Sequence, residues 1–215
     1  MSIRDAFKRR VFSYGEFRQV LGGLLRDGAL KRAGRLDSAF RERLMLAVTE
    51  VNGCPYCSFL HARLALSSGM SEAEVRALLG GDLEASPDDQ LAGLMFAQHW
   101  AETRGRPTRE ALDGLLDTYD RETAGDIIAA IRSIMLGNLY GNTFDAFRWR
   151  LRGRTAPLGL GEMVAVLVGG VWIVPGVAAD MAWRWLARRG RSEHPVDAAL
   201  RCASEDTVPE SLEAA

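Results

Sequence analysis

Near residues 52–55 of this sequence, one predicted helix ends and another begins almost at once. Residues 44–48 form an unbroken apolar run among good helix formers, which indicates a helix covered by protein on every side. Asn52 and Gly53 then end that helix. Pro55 suits the first position of a new helix, because proline has no N–H to satisfy and its φ is preset. The second helix is therefore predicted to begin with Cys54 as its cap.

Two thiols are predicted to lie at the start of that second helix. Cys54 caps it and Cys57 falls in its first turn, so both sulfurs lie near free backbone N–H groups and the positive end of the helix dipole, which favour the thiolate. His61 follows Cys57 by one helical turn, so its imidazole can exchange a proton with that sulfur. A Cys-x-x-Cys pair at a helix start can also close a disulfide. The pattern predicts a redox site with a reversible two-electron state.

The wider motif is Cys-x-x-Cys-x-x-x-His with Glu42 twelve positions before the first cysteine, followed by Ala62 and by Ser-Gly-Met-Ser-Glu-Ala-Glu at 68–74. This combination resembles the alkyl hydroperoxidase D and carboxymuconolactone decarboxylase family. The resemblance covers roughly residues 37–150 and is strongest over 42–80. It implies an all-α fold, an alkyl hydroperoxidase D-like helical bundle that is usually a homo-oligomer.

The resemblance also implies a thiol peroxidase reaction, in which one cysteine attacks the peroxide and the other resolves the product as a disulfide. An external thiol or dithiol reductant then reduces that disulfide. Carried onto this chain, Cys57 is the peroxidatic thiol, Cys54 is the resolving thiol, and His61 and Glu42 serve as the proton relay. Helix geometry by itself makes the capping Cys54 the more activated thiol, and we follow the family in assigning the attack to Cys57. Hydroperoxidases of the family can carry a histidine between the two cysteines, where this chain has Tyr56.

Two questions about this site concern which carboxylate takes part and whether the side chains bind a metal. Glu50, in the last turn of the first helix, competes with Glu42 as the carboxylate, and the resemblance favours Glu42. The two thiols and the imidazole are of zinc-ligating types, and Glu42 or His99 could complete a tetrahedral set. The sequence has no second ligand pair of the kind that structural zinc sites use, so no metal and no other cofactor is predicted.

The rest of the chain predicts helices and no strands. Capping signals open further helices at Ser71, Ser86 and Thr108, and residues 120–136 form a long helix with an apolar face, which could continue towards residue 152. No segment alternates convincingly at period two, so the fold class is all-α. The domains predicted are a helical domain at 1–155, a C-terminal apolar helical appendage at 156–190 and a tail at 191–215.

The C-terminal part of the chain differs in composition. Residues 163–179 carry no charge and are near the short limit for crossing a membrane, while two glycines and Pro175 weaken a helix there. Burial against the core or another subunit is therefore favoured, and membrane contact is the alternative. Residues 191–215 are polar and acidic and are predicted to be disordered, with Cys202 a bystander thiol.

Composition excludes several classes of function. The formal net charge of −1 gives no basic excess, so no nucleic-acid partner is predicted. Three cysteines, two of them in one motif, do not form the framework of a secreted disulfide scaffold. The first ten residues hold charges with no apolar stretch after them, which predicts a cytoplasmic protein, possible membrane contact aside. Two rival functions stay open: lactone decarboxylation, and a non-enzymatic helical or membrane-associated module whose thiols sense redox state.

Overall fold

The computed structural model describes residues 9–26, 32, 35–168 and 194–205 of the protein. Over these residues it contains helices and turns and no strand, which confirms the predicted all-α class. The helices are α1 (Tyr14–Arg26), α2 (Ser38–Asn52), α3 (Pro55–Ser67), α4 (Glu72–Leu79), α5 (Leu91–Glu102), α6 (Arg109–Thr118), α7 (Arg121–Leu151), α8 (residues 160–168) and α9 (Pro195–Glu205).

Several helix starts follow local capping chemistry. Ser71 and Thr108 each accept a hydrogen bond from the backbone N–H three residues on, at 3.1 and 3.3 Å, and so cap α4 and α6 as predicted. The helix predicted to open at Ser86 begins later, because a short 3-10 turn at Asp88–Gln90 comes before α5. The long helix predicted from residue 120 runs without a break through its glycines to Leu151.

The centre of the fold is α2, which is covered on several sides. Helices α3, α4, α5 and α7 all pack against it. Its residues Leu44, Leu46, Ala47 and Val48 are fully buried, and Met45 is nearly so, which explains why the sequence shows an unbroken apolar run there instead of a single stripe. Because α7 also crosses α3, the start of α3 lies between two long helices of the core.

The prediction of a disordered tail at 191–215 is wrong for Pro195–Glu205, which form α9. This helix packs against α6 and α7 through Val196, Ala199 and Ala203, which are buried. These three residues are spaced three and four apart, so a small apolar face exists inside a polar composition. Cys202 lies on this helix and is half-buried.

The uncharged stretch at 163–179 is only partly within the described residues. Its first part belongs to α8, where Met163 and Val166 are buried while Val164 and Val168 are exposed. Met163 packs with Val11 at the N-terminal side of the core. Residues 169–179 lie outside the described residues. Among the helices that are described, none is both long enough and apolar enough to cross a membrane.

Candidate active site

The stop and restart between α2 and α3 places the first thiol. Gly53 ends α2 in the left-handed conformation, at φ 67°, and its N–H donates to the carbonyl oxygens of Thr49 and Glu50. Cys54 is then the N-cap of α3, and its Sγ accepts a hydrogen bond from the backbone N–H of Cys57 at 3.3 Å. A cysteine therefore does here what serine or aspartate usually does at a helix start.

The two sulfurs face each other. Cys54 Sγ and Cys57 Sγ lie 2.7 Å apart, and both cysteines are free thiols. A disulfide has a sulfur–sulfur distance of about 2.05 Å, so closing the bond needs a movement of roughly 0.7 Å. Cys54 is fully buried, whereas Cys57 keeps 9% of its surface exposed. Cys57 is thus the less buried of the two cysteines.

The surroundings of the two sulfurs shift their pKa values in opposite directions. A hydrogen bond from the Cys57 thiol is the main cause that lowers the pKa of Cys54, and backbone N–H groups of Cys57 and Tyr56 and the charge of Arg9 add to it against the effect of burial. The same hydrogen bond, with burial and the negative charge on Cys54, raises the pKa of Cys57 well above its ordinary value. The site therefore favours ionisation of Cys54 over ionisation of Cys57, which is the order that the capping argument from the sequence gives.

Glu42, which is buried, and His61, which is partly buried, form a pair that joins α2 to α3. Glu42 Oε2 lies 2.7 Å from His61 Nδ1, and only 4% of the glutamate surface is exposed. Arg41 is a second neighbour of this carboxylate, 3.6 Å from Oε1. Since the carboxylate fixes Nδ1, the ring is held in one orientation and Nε2 is the nitrogen left to exchange a proton. His61 is one turn after Cys57 on the same face of α3.

The other candidate ligands and carboxylates lie elsewhere. Glu50 is next to Gly81, where a methyl group placed on the glycine would meet its carboxyl carbon at 3.6 Å, and burial raises the pKa of Glu50. His99 Nε2 accepts a hydrogen bond from the backbone N–H of Thr108 at 3.0 Å, which gives this histidine a structural role. Within the described ranges no group of three or more His, Cys, Asp or Glu side chains is arranged to hold a metal ion.

Two glycines of α7 form the wall behind the sulfurs. A methyl group on Gly141 would lie 2.5 Å from Cys54 Sγ, and one on Gly137 would lie 3.9 Å from Cys57 Sγ. The sequence analysis did not assign these positions, although their spacing of four puts both on one face of a helix. Only the packing of α7 on α3 shows that this face meets the thiols.

A second set of residues that the sequence did not reveal surrounds Tyr56. Its phenol oxygen accepts a hydrogen bond from Arg148 Nη1 at 2.9 Å and donates one to Asp145 Oδ1 at 3.3 Å. The other oxygen of Asp145 pairs with Arg9 Nη1 at 3.0 Å. We call these four residues the Tyr56 network. It ties α3 to α7 and to the residues before α1.

Comparison with known proteins identifies the central part of the chain. Residues 23–102 match the model of the carboxymuconolactone decarboxylase family, which confirms the resemblance inferred from the motif. The matched segment runs from α1 to the end of α5 and includes all four predicted site residues, whereas Gly141 and most of the Tyr56 network lie outside it. No curated protein matches the chain, and neither does any solved structure.

Proposed function

We propose that this protein, which carries the carboxymuconolactone decarboxylase family pattern over residues 23–102, is a thiol-dependent peroxidase. The observation that supports the proposal most strongly is the 2.7 Å distance between the sulfurs of Cys54 and Cys57 at the start of α3. Two thiols this close can give two electrons to a peroxide and store the result as a disulfide. His61, which is held by Glu42 and lies one turn after Cys57 on α3, is the group that we assign to proton transfer.

In the proposed first step Cys57 attacks the peroxide. Its proton passes to the Cys54 thiolate 2.7 Å away, which leaves the more exposed sulfur as the nucleophile. The Cys57 thiolate then attacks one peroxide oxygen and the O–O bond breaks. The leaving alkoxide takes a proton from His61 and departs as an alcohol, while Cys57 becomes a sulfenic acid. Glu42 orients the imidazole ring throughout, through the contact with Nδ1.

In the proposed second step Cys54 resolves the sulfenic acid. Cys54 loses its proton to His61 and attacks the Cys57 sulfur, and the hydroxyl group leaves as water. One alcohol, one water and one disulfide are formed for each peroxide, and one proton is taken up from solvent through His61. An external thiol or dithiol then reduces the disulfide by exchange and is itself oxidised. We place this cycle in the cytoplasm, because three cysteines with two in one motif fit a catalytic dithiol better than a secreted disulfide scaffold. We also propose a homo-oligomer, as the family resemblance implies.

A single-turnover experiment tests this function. We expect reduced protein that carries Cys202→Ser to lose both remaining thiols on addition of one equivalent of cumene hydroperoxide, with a mass decrease of two hydrogens. Cys57→Ser should consume no peroxide. Cys54→Ser should stop at a sulfenic acid that dimedone traps. Thiols that survive the peroxide would refute the proposal, and activity on a lactone that alkylation does not affect would point to decarboxylase chemistry instead.

A further inference from the structure

The residues before α1 lie against the turn that carries Cys54. The backbone N–H of Arg10 donates to the carbonyl oxygen of Asn52 at 3.2 Å. A methyl group placed on Gly53 would lie 3.8 Å from Cα of Arg9, so the two backbones are in close contact. These residues come before the segment that matches the family, and they nonetheless border the dithiol.

Asn142 of α7 links residues 9–13, which we call the N-terminal segment, to the turn at residues 52–54. Its Nδ2 donates to the carbonyl oxygen of Arg10 at 2.9 Å and to that of Asn52 at 2.8 Å. Asn142 is fully buried, so both bonds are protected from competition with water. The next residue towards the N-terminus is Gly141, which packs against the Cys54 sulfur. The adjacent residues Gly141 and Asn142 of α7 thus contact the N-terminal segment, the turn and the Cys54 thiol.

This arrangement places Arg9 beside the turn that carries Cys54. Asp145 holds the Arg9 guanidinium through an ion pair of 3.0 Å, and the positive charge contributes to the lowered pKa of Cys54. The other titratable or charged groups of the site, among the described residues, are Cys57, Tyr56 and His61 on α3, Glu42 on α2, and Asp145 and Arg148 on α7. Of the described residues before α1, Arg9 is the one whose positive charge contributes to the lowered pKa of Cys54.

We propose that the N-terminal segment completes the dithiol site: Arg9 is a positioning residue that favours the ionised sulfur of Cys54, and Asn142 holds it in place. This inference rests on the proposed function only in taking Cys54 as a redox-active thiol. Ionisation can be measured without any peroxide. A failure of the inference is therefore distinguishable from a failure of the peroxidase proposal.

The experiment titrates the reduced, full-length protein carrying Cys202→Ser, using the ultraviolet absorbance of the thiolate and the rate of alkylation by iodoacetamide against pH. Arg9→Gln should raise the lower of the two thiol pKa values by about 0.5 to 1 unit, which lowers the alkylation rate below that pKa roughly threefold to tenfold. Arg9→Lys should restore most of the shift, since the charge is kept. Raising the ionic strength should move the wild-type titration towards that of Arg9→Gln.

The adjacent arginine is the matched control. The side chain of Arg10 turns to the end of α5, where Nη1 donates to the carbonyl oxygens of Ala101 and Glu102 at 3.0 and 3.2 Å. Arg10→Gln should therefore leave the thiol titration unchanged. Asn142→Ala should shift the titration in the same direction as Arg9→Gln, and the double variant should shift no further than Arg9→Gln alone.

Three results would overturn this inference. The first is an Arg9→Gln protein that titrates like the wild type. The second is an equal shift from Arg9→Gln and Arg10→Gln, which would make the effect one of general loosening. The third is an Arg9→Lys protein that behaves like Arg9→Gln, since a charge effect must survive the exchange of one cation for another. Arg9 is partly exposed, so its variants are expected to fold. Their titrations therefore test the inference even if the Asn142→Ala protein does not fold.

Discussion

Gly141 leaves no room for a side chain beside Cys54, and replacing it with alanine tests how closely the sulfurs must approach. The added methyl group would lie 2.5 Å from Cys54 Sγ, while ordinary contact begins at 3.4 Å, so the sulfur must move by about 0.9 Å. The two sulfurs are 2.7 Å apart and must approach to about 2.05 Å to bond. A displacement of about 1 Å at a reacting atom can slow a reaction roughly 100-fold, and we expect a loss of this size in disulfide closure.

The effect of Gly141→Ala on stability should be much smaller than its effect on the reaction. Inserting a methyl group into a packed interior costs about 1–3 kcal/mol, while replacing glycine by alanine inside a helix stabilises by about 1 kcal/mol. The free energy of unfolding of the reduced protein should therefore fall by about 0–2 kcal/mol. A variant that stays folded but closes its disulfide slowly separates sulfur geometry from general damage.

Gly137→Ala is the control for this experiment, one turn earlier on the same face of α7. Its added methyl group would lie 3.9 Å from Cys57 Sγ and 3.8 Å from Ile134 Cδ1, both ordinary contacts. Closure should match the wild type and stability should rise by up to about 1 kcal/mol. The assay adds one equivalent of peroxide to reduced protein, quenches with an alkylating agent at set times and measures the disulfide by mass. If Gly141→Ala closes as fast as Gly137→Ala, the packing argument fails.

Three further predictions concern the proton relay and α9. Glu42→Gln should lower peroxide turnover about 100-fold with the fold intact. Glu50→Gln, from the same helix but next to Gly81, should leave turnover unchanged. Equal losses in the two variants would show that the Glu42–His61 pair has no special role. Burial, together with Arg32 and Arg121, lowers the pKa of His194, so the unfolded chain binds the proton first and stability is lost as the pH falls below about 6.5. A His194→Asn protein should therefore show a smaller fall in its urea midpoint from pH 7 downwards. A urea midpoint that falls with pH as steeply as in the wild type would contradict this. Val196→Asp should abolish hydrogen-exchange protection over Pro195–Glu205, since the buried valine faces the core. Cys202→Ser should leave this protection unchanged. If the Val196→Asp protein keeps the protection, this face of α9 does not hold the helix on the core.

The parts of the site that the sequence predicted are those set by local chemistry. Asn52 and Gly53 end one helix, Pro55 suits the start of the next, and these preferences act within a few residues, so the capping role of Cys54 could be derived directly. The pairing of Glu42 with His61 joins two helices and could be expected only from the family resemblance. Local signals fix where a helix begins, but they do not fix which residue of another helix it meets.

The parts that the sequence missed depend on contacts between distant segments. Gly141 and Asn142 act on a turn about 90 residues earlier, and no spacing rule connects them to it. The error at α9 has a different cause, because a polar composition concealed a narrow apolar face at Val196, Ala199 and Ala203. Composition averages over a segment, while docking needs only a few apolar residues on one side of a helix.

The cysteine whose pKa is lowered and the cysteine that is less buried are different residues, and single-cysteine variants should show which property controls reactivity. Removing Cys54 takes away the hydrogen bond and the negative charge that, with burial, raise the pKa of Cys57, so that pKa should fall towards its ordinary value. Removing Cys57 takes away the largest cause that lowers the pKa of Cys54, which should then rise. Both variants thus converge on an ordinary buried thiol, and access decides between them. Cys57 keeps 9% of its surface exposed and Cys54 none, so Cys54→Ser should remain the more reactive towards peroxide. Ionisation in the intact pair belongs to both sulfurs together, and the assignment of attack to Cys57 depends on access and on the proton that passes between them.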